Sequence, residues 1–328
     1  MFASHLDKNA VAGSPERVPS RNGYGDGLLE AGKRDEAVVA LSADLTESTK
    51  TLQFADAFPK RFVQMGVAEQ NMASVASGMA AMGKIPFIAS YAMFSPGRNW
   101  EQIRTTIAYN NVNVKVIGAH AGISVGPDGA THQAIEDIAL MRVVPNMIVI
   151  APCDVHEARK ATLVAAKHVG PVYIRLGRSE TPVVTSADSP FVLGQGEFLY
   201  RKNPEHQKSV ALVVTGTLAY NALQAAVAIE AQGIGATVLH LATIKPLDTS
   251  ALEEVAQTHD AIVTIEEHQI IGGLGGAVAE YLSGTHPIKI TRLGITDQFG
   301  QSGEPDELLA HYGLDVHAIV AAGKALVN

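Results

Sequence analysis

The chain has 328 residues, 47% of them apolar and 18% charged, with a formal net charge of -8; this suits an ordinary globular protein with room for two cores. The acidic balance and an aromatic content of only 5% exclude a nucleic-acid surface, which needs a basic stripe and stacking rings. Uncharged stretches fall short of the roughly 18 apolar residues of a bilayer span, no basic segment leads into an apolar run at the start, and the single Cys153 excludes an internal disulfide, so a cytoplasmic protein without membrane contact is expected.

In chain order, short β-rich runs at residues 37–41, 61–65, 86–90, 114–119, 147–151 and 172–175 alternate with stretches long enough for helices. That alternation predicts parallel strands joined by crossover helices. Residues 179–195 are rich in Ser, Thr and Pro and have no helical period, which marks a linker. The expected organisation is a first domain over 1–180, a linker over 181–195 and a second, smaller domain over 196–328. In the second domain, strands are predicted over 210–215, 237–241 and 261–265, and helices over 218–232 and 249–257. The fold class is therefore α/β: two domains with mainly parallel sheets flanked by helices.

One stretch of the second domain, GGLGGAVAEY over residues 272–281, follows a strand and opens a helix as a dinucleotide-binding loop would. Its glycine spacing is incomplete and no acidic residue ends a following strand, so the glycines read as a helix cap and a close packing seam.

The densest chemistry lies between residues 61 and 147. A helix is predicted from Glu69 to Met82, with Met72, Val75, Met79 and Met82 as its core stripe and Ala73, Ala76 and Ala80 as a small face that another helix can approach. Glu69 answers the helix dipole, or is a desolvated carboxyl that exchanges a proton with a ligand. Tyr91 and Phe94 are core aromatics, or walls of a pocket for a flat heterocycle. His120 closes a strand, Asp128 sits in the turn Gly-Pro-Asp-Gly and His132 precedes a helix; open α/β sheets bind ligands on such strand-end loops, although a turn aspartate and two surface histidines would look the same. No metal site is expected among them, because no third imidazole or thiol stands at ligand spacing, and Glu136 and Asp137 suit a helix N-terminus.

The stretches GVAEQNMASVASGMA, YAMF, GPDGATHQAIEDIALMRVVPNM and YIRLGRSETP together resemble the pyrimidine-binding domain and adjoining linker of transketolases, and the segment beyond them resembles the transketolase C-terminal domain. The resemblance implies that Glu69 bonds the aminopyrimidine ring of thiamine diphosphate, that Tyr91 and Phe94 stack on that ring, and that Asp44 lies near the thiazolium. It implies that Asp128 bonds a sugar hydroxyl, that His132 contacts the reacting end of the ketose, and that His120, Arg178 and Arg21 hold the sugar phosphate with help from Arg175.

Near the start, Gly25-Asp26-Gly27 has the form with which thiamine diphosphate enzymes grip Mg²⁺ and diphosphate. Here no strand precedes it and no asparagine follows at the distance that would complete a Mg²⁺ shell, so the tripeptide reads as the start of a helix. The implied protein is the C-terminal subunit of a split transketolase. Its Mg²⁺ ligands and diphosphate grip would lie on an N-terminal transketolase subunit, in an α2β2 assembly acting on sugar phosphates. Two departures from the family, Gly97 where many members have a third aromatic and Thr46-Glu47-Ser48-Thr49 where the usual sequence differs, bear on the choice of donor and acceptor. The alternatives are half of a 1-deoxyxylulose-5-phosphate synthase-like or 2-oxo acid dehydrogenase-like enzyme, and a non-catalytic regulatory partner.

Overall fold

Runs of Val, Ile, Ala and Phe between residues 38 and 175 are too short for helices and become strands buried on both faces, as a sheet covered by helices requires. In a computed structural model that describes residues 1–327, the strands in chain order are β1 (Arg17–Pro19), β2 (Val38–Ser42), β3 (Phe62–Gln64), β4 (Ile85–Tyr91), β5 (Lys115–Ala119), β6 (Ile148–Ile150), β7 (Val172–Arg175), β8 (Glu180–Pro182), β9 (Glu197–Tyr200), β10 (Ser209–Val214), β11 (Gly235–His240), β12 (Thr243–Lys245), β13 (Ala261–Gln269) and β14 (Lys289–Ile295). The first sheet has the order β12-β6-β7-β5-β4-β2-β3. All of its pairings are parallel except that of β12 with β6. The second has the order β14-β13-β10-β11-β9, with β9 antiparallel at its edge. A short antiparallel ribbon joins β1 to β8.

Alternation along the strands sends neighbouring residues to opposite faces. Val38 and Ala40 pack with Tyr24, Leu28, Ala158 and Ala161 on one side, while Val39 and Leu41 pack with Met72, Ala73 and Ala76 on the other. The helices Ser20–Arg34 and Val155–Lys167 thus cover one face, and Glu69–Ala81 covers the opposite one. Two sequence expectations for that last helix change. Met82 is 85% exposed rather than part of the core stripe, and Ala73 and Ala76 are fully buried against the helix's own sheet rather than offered to a further helix. The small side chains let the helix lie close to β2 and β4.

Gly25-Asp26-Gly27 lies inside the helix Ser20–Arg34 rather than at its start. A Cβ on Gly23 would fall 1.9 Å from the Val155 carbonyl oxygen, and one on Gly27 would fall 2.8 Å from Thr162 Cβ. These glycines are the seam along which Ser20–Arg34 meets Val155–Lys167, and Asp26 faces solvent.

The glycines at 272–276 have a different cause. Glu266, fully buried on β13, accepts the N–H of Leu274 at 2.7 Å and of Gly275 at 2.8 Å, and so caps the helix Leu274–Thr285 from inside the fold. A Cβ at Gly273 would lie 1.9 Å from Glu266 Oε2. The helix end that would hold a dinucleotide phosphate is already occupied by a carboxylate.

The sequence treats the residues beyond 195 as self-contained, yet β12 leaves the second sheet to pair with β6 at the edge of the first. Lys245 fixes this crossing by donating from Nζ to the carbonyls of Val144 at 2.5 Å and Arg142 at 3.0 Å.

Candidate active site

Because β2, β3, β4, β5 and β7 are parallel neighbours, everything that follows their C-terminal ends emerges along one edge, where ligand sites of open α/β sheets form. Asp44 follows β2, Glu69 follows β3, Tyr91 ends β4, His120 follows β5 and Arg178 follows β7. The topology thus gathers residues that are far apart in the chain.

Glu69 opens its helix with only 1% of its surface exposed. Its carboxylate accepts from Arg98 Nη1 at 2.7 Å and Ser90 Oγ at 3.3 Å, and its backbone carbonyl accepts from Asn99 Nδ2 at 3.1 Å. Arg98 also lies over the Phe94 ring, 4.8 Å from its centroid, and its side chain is 44% exposed. A buried carboxylate is therefore held by two side-chain donors, one of which reaches in from solvent.

Beside it stands an aromatic wall. The rings of Tyr91 and Phe94 are near-parallel at 6.1 Å and 18°. The His120 imidazole stacks on Tyr91 at 3.8 Å, and His132 meets the Phe94 ring edge-on at 5.6 Å. His120 has φ +54°, a left-handed conformation that a non-glycine residue keeps only where its surroundings hold it. Arg21 Nη1 donates to His120 Nε2 at 3.1 Å; since a guanidinium can only donate, Nε2 is the acceptor and the proton sits on Nδ1. Burial first, and then Arg21, Arg178 and His132, push this imidazole down to about 3, so it stays neutral. Its buried Nδ1 and the Nε of Arg21 have no partner among the described residues, an unmet demand that a ligand can satisfy. The Thr46–Thr49 loop contributes as well: the Ser48 carbonyl accepts from Arg21 Nη1 at 2.8 Å. Arg178 donates to the Val125 carbonyl at 3.0 Å.

Asp44 and Asp128 are exposed and stand on this edge outside the aromatic cluster; Asp44 holds its turn through its own N–H to Gln64 Oε1 at 2.9 Å, at φ +61°. Arg175 departs from its implied role. Its Nε donates to Asp137 at 2.9 Å and its Nη2 to the Glu267 carbonyl at 2.7 Å, so it is engaged in a buried ion pair with Asp137 and a hydrogen bond that ties β7 to β13 rather than facing a ligand. Sequence reasoning missed Ser90, Arg98 and Asn99. The available signal for Arg98 was its place four residues after Phe94, on the same side of a tight turn. Gly97 belongs to that turn: a Cβ there would lie 2.0 Å from the Met93 carbonyl oxygen, so this backbone has no room for an aromatic at that position.

Comparison with known proteins points to one family. Residues 16–184 match the family model described as the transketolase pyrimidine binding domain, and residues 200–319 match that of the transketolase C-terminal domain. Over 302 residues the chain is 45% identical to a Methanocaldococcus jannaschii protein described as a transketolase C-terminal section, spanning 91% of this chain and 93% of that one. It is 40% identical to the 6-deoxy-6-sulfo-D-fructose transketolase subunit SqwH of Clostridium sp. (strain MSTE9), across 92% of each. A solved structure described as a split gene transketolase, inactive beta4 tetramer, superposes with a TM-score of 0.85 at 46% identity, covering 94% of this chain and 98% of its own.

Proposed function

The chain belongs to the transketolase family, and from that premise we propose that it is the C-terminal subunit of a split enzyme that moves a two-carbon ketol unit from an anionic ketose to an anionic aldose. Thiamine diphosphate would bind where this chain meets a separate diphosphate-binding polypeptide. The observation that carries the reading is the buried Glu69 carboxylate beside the Tyr91–Phe94 wall, on the same sheet edge as the unsatisfied Arg21–His120 pair.

The residues present fit one end of that cofactor. A flat heterocycle finds a stacking wall, and a ring N–H finds a buried carboxylate acceptor. The other end finds no grip at Gly25-Asp26-Gly27, whose glycines pack against a helix and a loop and whose aspartate faces solvent, so Mg²⁺ and the diphosphate fall to the partner. When bound, thiamine diphosphate supplies an acidic carbon that adds to a ketose carbonyl and stores the electron pair released by carbon–carbon cleavage. In this chain Glu69 orients the ring and holds a proton at its nitrogen, and Tyr91 and Phe94 keep water from the ring face. Neutral His120 donates from Nδ1 to a substrate oxygen, His132 attends the reacting end, Asp128 bonds a hydroxyl, and Asp44 lies beside the sulfur-containing ring. Arg21 and Arg178 hold the substrate's terminal anion.

The anion need not be phosphate. The Clostridium relative is named for a sulfonated sugar, and a guanidinium pairs with the oxygens of either group. The partner requirement is supported by the relative whose homotetramer is described as inactive. Calorimetric titration of thiamine diphosphate with Mg²⁺ tests the reading, using the chain alone and then mixed with an N-terminal transketolase polypeptide. Binding only in the mixture, followed by ketol transfer between anionic sugars, is expected. Tight binding by the chain alone would overturn the split site, and release of CO₂ from pyruvate would transfer the chain to the deoxyxylulose-phosphate type.

A further inference from the structure

A second cluster of reactive side chains lies between the two sheets, apart from the aromatic edge. Cys153 follows β6, Glu157 sits in the first turn of the helix Val155–Lys167, and His240 ends β11. They are 1%, 3% and 1% exposed. One donor atom from each lies within 4.8 Å of the other two, and His240 Nδ1 stands 3.5 Å from Glu157 Oε1. The other imidazole nitrogen, Nε2, is buried and has no partner among the described residues. A cavity of about 60 Å³ opens on the cluster, lined by Glu157, His240, Glu197 and Phe191 among others, and leaves room for a water.

We propose that Cys153, Glu157 and His240 form a zinc site that staples the first sheet to the second. A thiolate, a carboxylate and an imidazole are ligands that zinc accepts together, with water in the fourth position, whereas Mg²⁺ and Ca²⁺ want oxygen alone. A tetrahedral zinc with bonds of about 2.0–2.3 Å needs its ligand atoms roughly 3.3–3.8 Å apart, so the cluster reaches that geometry by small side-chain movements. Charge favours it too: one divalent cation cancels the thiolate and the carboxylate that bind it. Neighbouring groups hold Glu157 in place and are otherwise engaged. Glu157 Oε2 accepts the Cys153 N–H at 2.6 Å, which leaves Oε1 for zinc. Asp154 is engaged by the N–H groups of Glu157, Val184 and Thr185 and by the Thr185 hydroxyl. Lys160 is turned away, to the carbonyls of Ser186 and Ser189.

Because the chain has a single cysteine, a thiolate–metal absorption band can come from nowhere else. The full chain is stripped with a chelator and titrated with Co²⁺ under reducing conditions. The expected result is a thiolate-to-cobalt charge-transfer band that saturates at a single Co²⁺ per chain, is displaced by Zn²⁺, and is accompanied by a rise in melting temperature when Zn²⁺ is added. Cys153→Ser should abolish the band. His240→Asn should weaken it and remove the Zn²⁺-dependent rise, while His317→Asn, at an exposed position, should change neither. Absence of the band from the unmodified chain would overturn the site. An equal Zn²⁺-induced rise in the His240→Asn variant would likewise overturn it, by identifying surface binding. If Cys153→Ser does not fold, the spectrum of the unmodified chain and the His240→Asn variant decide.

Discussion

Two buried glutamates each face the start of a helix, and the proposed function uses only one of them. Glu266 is bound by backbone N–H groups of the helix it caps, partners that cannot leave without unfolding that helix. Glu69 is bound by the side chains of Arg98 and Ser90, and Arg98 reaches it from a half-exposed position. Desolvation raises the Glu266 carboxyl to about 7 against the pull of its N–H partners, a cost that the helix cap offsets. The two carboxylates thus differ in whether their polar partners belong to the backbone or are replaceable side chains, and the proposed function assigns the reactive role to the second kind.

The comparison can be broken most sharply at Glu69. Replacing it with Ala should leave the circular dichroism spectrum unchanged and lower ketol transfer by the reconstituted enzyme by about 10²–10⁴-fold, the range of a lost proton-transfer group; full activity would place Glu69 with Glu266 as structural. The converse variant, Glu266→Ala, strands two buried N–H donors and should cost about 2–4 kcal/mol of stability in urea unfolding, with activity per folded molecule unchanged. A smaller effect is expected at the anion grip. Arg178→Ala should raise KM for the anionic sugar by roughly tenfold, about 1.4 kcal/mol, with kcat little altered, and a loss confined to kcat would contradict the binding role.

The last effect is one of pH and shows only below neutrality. The His120 imidazole is lowered from 6.5 to about 3, so the unfolded chain takes up a proton in that window that the folded chain refuses. Stability is undiminished by this group above about pH 6.5 and falls as pH drops toward 3, by up to about 1.4 kcal/mol per pH unit. His240, His259 and His268, each lowered to about 4, act in the same direction. His120→Asn should flatten the acid limb of the urea midpoint by one group's share, and an unchanged slope would mean that His120 is protonated in the fold.

Much of this was legible in the sequence because the relevant forces are local. The predicted runs at 86–90 and 172–175 correspond to β4 and β7, since a short continuous apolar run between turn signals marks a strand buried on both faces. Tyr91 and His120 stood out because strand ends announce an edge, whereas Glu69 stood open between a helix-dipole acid and a site carboxyl, and Arg178 entered through the family resemblance; all four stand at or after strand ends on one edge. The partner of Glu69 was hidden: Arg98 is separated from it by β4 and a turn, and an arginine in a polar stretch looks like any solvated one. Arg175 misled for the reverse reason, because it stands beside a motif and is drawn off by Asp137 and Glu267, both remote in sequence. Met82 kept the helical period after the helix had ended at Ala81, and periodicity cannot report where a helix stops.

The loan of β12 to the first sheet has a consequence for how the chain is made. On the ribosome, every other strand of that sheet is synthesised by residue 175, yet β6 remains an open edge until residues 243–245 emerge. Between those moments the nascent protein carries a nearly finished sheet with an unpaired border, the kind of edge that pairs with a neighbouring chain. The two halves are thus coupled in time as well as in space, and the first sheet acquires its last strand only when much of the second half has been translated.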